Sequence, residues 1–356
     1  MAESGDSVQT QAEAPSADAV ADAVAALTLT APTPDTFSGV HDALPSFSTV
    51  EDLGVFVWHP HSPSKADFKS HAHVTVSDIR DRLEVPDGLV GVPIINISDL
   101  NLPVEFKRLR PQFITNRFPN DPGVAASLAA AAARGVVMDN VDFVFGGSTL
   151  NVLSSRHVGN NVYLVQRVGQ TIVIGKHSEY TGDLAAKGFQ FERFVTGERM
   201  AALSTHDCVV GMQLANVGPF RVLFHAELDA VDTDGARVEI KSGNPNRFGA
   251  KEMFQMVSSR SSSLVYAECR GNRLLAVQKP ALQTVAKWVT EAKRLALQDV
   301  LLKTMREIKD MAADISDGEP SQLAFTEDGH VELRARPGLS MLPPADVIAT
   351  LIGGEE

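Results

Sequence analysis

Apolar residues along most of this chain fall into short runs separated by glycine-bearing polar pairs, the pattern of strands joined by tight turns. Val55-Phe56-Val57-Trp58 and Val92-Pro93-Ile94-Ile95-Asn96-Ile97 read as β pieces of the N-terminal third. Strands are expected over Val141–Phe145, Asn161–Val168 and Thr171–Gly175, the last two joined by a Gly169-Gln170 turn. Leu264–Cys269 and Leu274–Gln278 pair around Gly271-Asn272, and Gln322–Thr326 and His330–Arg334 around Asp328-Gly329. Helical spacing interrupts the strands at the alanine-rich Gly123–Arg134, across Thr181–Thr196, and from Ala281 to about Asp314 as one long amphipathic helix or a pair. Residues 1–36, made of Ala, Ser, Thr, Pro and acids, show no such pattern and read as a disordered acidic tail. No internal repeat is visible, and the class is mixed α/β.

One hairpin carries more charge than a strand face normally holds. Glu227-Leu228-Asp229 is followed ten residues later by Glu239-Ile240-Lys241, with the turn signal Asp234-Gly235 between them. Side chains alternate across a strand, so Glu227 and Asp229 share a face, as do Glu239 and Lys241, while Leu228, Ala230, Val238 and Ile240 face the core. Three carboxylates and one ammonium on a half-buried surface are costly unless a cation neutralises them. Hard cations take carboxylate oxygens, which points to Mg²⁺ or Mn²⁺. A solvated strand face with a Glu–Lys cross-strand pair is the alternative from spacing alone. The order acid-x-acid, then acid-x-Lys, suits phosphodiester hydrolysis, the acids holding metal and the Lys steering water or a phosphate oxygen.

That core resembles the PD-(D/E)XK nucleases. Two more segments narrow the likeness: Gly188-Phe189-Gln190-Phe191-Glu192 upstream, and Lys251-Glu252-Met253-Phe254-Gln255, on a helix, downstream. The four elements, in this order and approximate spacing, resemble the DXO-like decapping exoribonucleases, from about Phe143 to Leu342. The resemblance implies one nuclease domain over residues 37–350, built from two mixed β-sheets flanked by helices, with an acidic metal cleft between them. It implies Glu192, Glu227, Asp229 and Glu239 as metal ligands for two Mg²⁺ or Mn²⁺ ions, completed by the backbone carbonyl of Ile240. Lys241 and Gln255 would contact the scissile phosphate or its attacking water, and Cys208 stands near a cysteine that touches substrate in relatives. The substrates implied are RNA 5′ ends that are incompletely capped, NAD-capped or triphosphorylated, with 5′–3′ decay following. A departure accompanies these matches: relatives carry a phosphate-binding Arg where this chain has Gly146, followed by Gly147. The glycine pair reads either as backbone N–H groups open to a phosphate or as a tight turn between strands. Arg156 and Arg134 are the nearest replacement cations. Two other classes stand beside the decapping reading: an RNA 5′-end-binding or regulatory protein that supports a partner exoribonuclease, and a DNA-directed nuclease.

Composition bounds these readings. With 356 residues, 44% hydrophobic and 21% charged, the chain can bury a large core. No run is long enough to span a membrane, the N-terminus lacks a secretory pattern, and two cysteines, Cys208 and Cys269, speak for a reducing compartment, so an intracellular setting in nucleus or cytoplasm is expected. A net charge of −12 argues against coating long duplexes and favours a local pocket that grips one RNA end. Lys107, Arg108, Arg110 and Arg117 form a basic strip, open to reading as a backbone track or as a solvated face. His59, His61, His71 and His73 lie close in sequence without a partner at structural-zinc spacing. Trp58 and Trp288 are too isolated in sequence to suggest a base-stacking platform. Neither a Gly-x-Ser-x-Gly elbow nor a phosphate loop is present.

Overall fold

A computed structural model describes residues 40, 43–59, 75–89, 91–98, 100–106, 113–115, 122–177, 181–183, 187–197 and 208–353. The acidic tail, the strip Lys107, Arg108, Arg110 and Arg117, and His61, His71 and His73 lie outside them.

In chain order the strands are β1 (Phe47–Trp58), β2 (Leu83–Glu84), β3 (Val104–Glu105), β4 (Phe113–Thr115), β5 (Phe143–Gly146), β6 (Val162–Val168), β7 (Thr171–His177), β8 (Thr181–Asp183), β9 (Cys208–Val217), β10 (Phe220–Glu227), β11 (Ala230–Val231), β12 (Arg237–Ser242), β13 (Ser263–Arg270), β14 (Arg273–Gln278), β15 (Ser321–Phe325) and β16 (Val331–Ala335). The helices are α1 (Val76–Arg80), α2 (Pro122–Ala133), α3 (Gly147–Ser155), α4 (Lys187–Thr196), α5 (Ala250–Ser259), α6 (Leu282–Ala286), α7 (Glu291–Ala312) and α8 (Ala345–Ile352).

Nine strands form one mixed sheet in the order β16-β15-β6-β7-β5-β10-β9-β1-β2, and five form a second, β11-β12-β13-β14-β3. Within the large sheet β5 runs parallel to both β7 and β10, and in the small one β12 runs parallel to β13. The expected two mixed sheets with flanking helices are therefore present. One face of the large sheet packs Phe143, Phe145, Val222 and Phe224 against Leu150 of α3, Phe254 of α5 and Leu301 and Met305 of α7. The opposite face packs Val144, Leu223 and Val173 against α2 and α8. Residues Val124 to Ala131 of α2 are all buried, which a helix of alanines permits by letting its neighbours approach on every side. The small sheet packs Val238, Ile240 and Val265 against Phe191 and Val195 of α4.

The turns follow their local chemistry. In the β11–β12 hairpin, Asp232 Oδ1 accepts from the N–H groups of Asp234 (3.0 Å) and Ala236 (2.9 Å), and Gly235 takes φ +77°. Three expectations are corrected. The Thr181–Thr196 stretch is not one helix: Thr181–Asp183 pairs with Phe113–Thr115, and helix begins at Lys187. Val92–Ile97 forms no regular strand, only a single bridge from Ile94 to Val231. Gly146 and Gly147 do not turn between strands; they join β5 to α3. Of the two readings of the long C-terminal helical stretch, the pair is present, as α6 and α7.

Candidate active site

The Glu-Leu-Asp segment does not lie on one strand. β10 ends at Glu227 in the large sheet, Leu228 N–H still donates to Val209 O (2.9 Å), and Ala230 then opens β11 in the small sheet. Asp229 sits at this crossing. Its Oδ2 accepts from the N–H of Ile240 at 2.7 Å, which draws it against β12. β12 is buried on both faces along Arg237–Ile240, so Glu239 is only 5% exposed even though it alternates with the apolar Val238 and Ile240.

Lys241 supplies the countercharge. Its ammonium is hydrogen-bonded to Glu239 Oε1 and lies 3.9 Å from Asp229 Oδ2. Burial raises the Asp229 carboxyl well above the ordinary carboxylate value, and the charges of Glu239 and Glu192 push it the same way, against Lys241 and the Ile240 N–H. Burial works to strip the proton from Lys241, but Glu239, Asp229 and Glu192 outweigh it and hold the ammonium above its usual range. Glu192, on the half-buried side of α4, therefore belongs to the same electrostatic cluster. Glu227 is exposed at the end of β10 and is not among the charges that shift Asp229.

Three carboxyl groups face one ammonium in this cluster, and this hard-oxygen donor set fits a divalent cation. Among the described residues, no three acidic, His or Cys side chains already surround one point at metal distance. Lys241 stands between Glu239 and Asp229 instead, so a cation taken up here would compete with the ammonium for their oxygens. The Ile240 N–H is committed to Asp229 and its side chain is buried.

The remaining sequence candidates separate. Gln255, on α5, is half-buried, and its Oε1 is enclosed without a hydrogen-bond partner, an unmet acceptor that a ligand can satisfy. Gly147 starts α3 and is buried: a Cβ there would stand 2.1 Å from Ser258 Oγ, so its smallness is a packing requirement against α5. Gly146 adopts φ −88°, ψ 171°, ordinary extended backbone, and a Cβ there would lie 3.1 Å from the His225 carbonyl oxygen. Cys208, 1% exposed, opens β9 beside β1, paired in register with Trp58, and is packed in the core. Arg156 bonds Thr304 (2.9 Å), Glu307 (2.9 Å) and the Gly329 carbonyl, while Arg134 bonds Asp87 (3.2 Å) and the Pro86 carbonyl. Both substitute cations are thus committed elsewhere. His59 pairs with Glu84 at 3.5 Å.

Sequence reasoning passed over His225. It lies two residues before Glu227 and next to Gly146 in the β5–β10 register, its Nε2 is enclosed without a partner, and burial pushes its pKa down to about 4. Strand alternation from Glu227 was the signal available for it.

No protein-family model matches the sequence, and no curated protein is similar to it in sequence. Solved structures do match in fold. Rai1 of S. pombe superposes with a TM-score of 0.57 at 12% identity, over 82% of this chain and 94% of that one. Scheffersomyces stipitis Rai1, in complex with (3′-NADP)⁺ and calcium ion, gives 0.56 at 10% identity over 86% and 94%. Candida albicans Rai1, in complex with pU5-Mn²⁺, gives 0.52 at 8% over 85% and 92%. The chain has the Rai1 fold over most of its length, as its resemblance to the DXO-like proteins implied. Among the described residues no helix is long and apolar enough to cross a membrane.

Proposed function

We propose that this chain is a divalent-metal-dependent hydrolase of RNA 5′ ends, a divergent DXO-like enzyme acting on incompletely capped, NAD-capped or triphosphorylated RNA, with 5′–3′ degradation following. The observation that carries the reading is the buried Asp229–Glu239–Lys241 cluster, with Glu192 beside it, at the crossing between two sheets. Structures of the same fold hold pU5 with Mn²⁺, and (3′-NADP)⁺ with calcium, which supports a site for RNA and dinucleotide phosphates with a cation. Glu192, Asp229 and Glu239 would hold Mg²⁺ or Mn²⁺, with Glu227 approaching from the rim. A divalent cation held by these residues would supply Lewis-acid polarisation of a phosphodiester oxygen and a lowered pKa for the attacking water.

The chain's own residues do the rest. Lys241, released from Glu239 and Asp229, places an ammonium on a phosphate oxygen as negative charge develops there. Gln255 offers its amide to the same phosphate or its attacking water. Low dielectric around Glu239 strengthens each of these contacts.

A second reading is favoured by one observation. Arg156 and Arg134 are committed to other partners, and Gly146 brings no cation of its own. A protein that holds RNA 5′ ends and supports a partner exoribonuclease needs no tight phosphate clamp. Incubating the purified chain with Mg²⁺ or Mn²⁺ and 5′-triphosphate, NAD-capped or monophosphate RNA, or with single-stranded DNA, separates the readings. Release of a 5′-terminal nucleotide or cap fragment, abolished by EDTA and by Asp229→Asn, is the expected result. RNA-end binding without cleavage on any substrate would overturn the hydrolase in favour of the supporting role, and cleavage of DNA alone would redirect it to DNA. We place its work in the nucleus or the cytoplasm as part of the same proposal.

A further inference from the structure

Trp288, isolated in the sequence, is not isolated in space. It lies in the connection between α6 and α7 and is 37% exposed, one of few large apolar side chains open to solvent among the described residues. Its ring stacks against Phe248 (centroids 6.1 Å, planes 25° apart) and meets Tyr266 edge-on at 6.0 Å, while Phe248 and Tyr266 are 5.6 Å apart. Phe248 and Tyr266 are half-buried and rest on the main core, so the ledge is anchored from below.

The ledge adjoins the acidic cluster. Tyr266 is the register partner of Lys241 on the neighbouring strand, so both side chains rise from the same face of the small sheet. The two residues that follow Lys241 continue toward the aromatics: a Cβ on Gly243 would lie 3.2 Å from the Phe248 ring. Exposed cations flank the rings in sequence: Arg247 precedes Phe248, Lys251 follows it on the first turn of α5, and Lys287 precedes Trp288. None of the three enters an ion pair among the described residues. On a chain with a net charge of −12, three unpaired cations beside an open aromatic ledge form a local exception to the acidic surface.

We infer that Phe248, Tyr266 and Trp288 form a stacking platform for a nucleobase of single-stranded RNA whose phosphate lies at Lys241, with Arg247, Lys251 and Lys287 following the backbone. The inference rests on the RNA-hydrolase reading for its placement beside Lys241. Its physics is that of sequence-tolerant single-strand binding, where a π-face takes any base and cations take the phosphates. A packing role alone calls for Phe248 and Tyr266, which the core already holds, but not for an indole left open to water beside free cations.

The chain offers its own reporter. It has two tryptophans, and Trp58 is fully buried, so quenching of intrinsic fluorescence by an oligonucleotide reads Trp288. The full chain carrying Asp229→Asn, titrated with an RNA pentamer and with a pentamer of equal charge containing abasic positions, gives the test. Base-bearing RNA should quench Trp288 and bind about five- to a hundredfold more tightly than the abasic oligomer. Trp288→Ala should erase that preference, Trp288→Phe should keep most of it, and the paired change Arg247→Gln with Lys251→Gln should flatten the salt dependence of binding. Equal affinity for the two oligomers in the unmutated ledge, or an unchanged preference in Trp288→Ala, would overturn the platform, and the first comparison does not depend on any ledge variant folding. If the hydrolase reading fails while base-dependent quenching persists, the platform stands as a binding site alone; if cleavage is found without such quenching, the hydrolase stands and the platform falls.

Discussion

Asp229 has two duties, and a pair of substitutions separates them. Its carboxylate belongs to the cluster that would hold a cation, and its Oδ2 also accepts the Ile240 N–H at 2.7 Å. Asp229→Asn removes the charge but keeps an oxygen for Ile240; Asp229→Ala removes both. Relief of repulsion from Glu239 and Glu192 is common to the two variants and cancels when they are compared. What remains is a backbone N–H left without an acceptor in a largely buried place, about 1–3 kcal/mol. With a urea slope of ~3 kcal/mol/M for a domain of this size, the Ala variant should unfold at a midpoint roughly 0.3–1 M below the Asn variant, with equal slopes. The assay is urea unfolding in EDTA, followed by far-UV circular dichroism, so that no metal enters the comparison. Both variants should be inactive on RNA. Equal midpoints would refute the claim that Asp229 holds β12 through Ile240, and near-normal hydrolysis by Asp229→Asn with normal metal dependence would remove Asp229 from the site.

Lys241→Ala should lower turnover by on the order of a hundredfold or more without weakening Mg²⁺ binding read by calorimetry; it should also destabilise the protein by up to about 3 kcal/mol, since Glu239 is left buried without its partner. Gly147→Ala drives a Cβ to 2.1 Å from Ser258 Oγ and should cost about 1–3 kcal/mol in thermal or urea unfolding, partly recovered by adding Ser258→Ala, whose Cβ still stands at 3.1 Å. Arg156→Ala breaks bonds to Glu307, Thr304 and Gly329 and should lower stability by about 1–3 kcal/mol with KM for RNA unchanged; a raised KM would return Arg156 to the pocket. Gly146→Arg has a permissive backbone and needs only a small shift of the His225 carbonyl, so it should fold and raise kcat/KM on triphosphorylated or capped RNA about ten- to a hundredfold; a folded variant with no gain would show that a cation is not what this pocket lacks.

Features with local causes were legible in the sequence. The turns at Gly169-Gln170, Asp234-Gly235, Gly271-Asn272 and Asp328-Gly329 fall where their residues put them, because a positive φ or an Asx bond is decided within a few positions. The pairing of Glu239 with Lys241 was also readable, being a relation of i to i+2 on a strand. Features that depend on distant partners were not. Alternation placed Glu227 and Asp229 on one strand, whereas the chain leaves one sheet after Glu227 and enters another at Ala230, a change set by which strands accept it. Gly-Gly-Ser looked like a turn because α3 is fixed by packing on Ser258, more than a hundred residues later. The aromatic ledge escaped for the same reason, since Phe248, Tyr266 and Trp288 come from three separate elements.

The crossing itself explains why acids gather there. β11 is two residues long and pairs only with Val238 and Arg237, so the edge of β12 is uncovered at Ile240. An uncovered backbone N–H next to a buried strand needs an acceptor, and the Asp229 carboxylate, arriving from the large sheet, supplies one. A longer β11 would satisfy Ile240 with backbone and leave an acid at 229 without this structural role. The short strand thus draws one carboxylate to a place where Glu239 and Lys241 already stand, and α4, packed on Ile240 through Phe191, brings Glu192 to the same edge. At this point the Lys241 ammonium holds Glu239 and Asp229, and the Ile240 N–H holds Asp229. A divalent cation held by these acids in place of the ammonium would bring one more positive charge to the cluster and leave Lys241 free for substrate, so on the proposed reading binding metal and arming the lysine would be one event. Metal affinity should therefore rise in Lys241→Met if the ammonium competes with the cation for Glu239 and Asp229, by roughly the tenfold that a lost competitor worth ~1.4 kcal/mol represents; calorimetry showing weaker Mg²⁺ binding in that variant would mean that the lysine helps to build the metal site instead of vacating it.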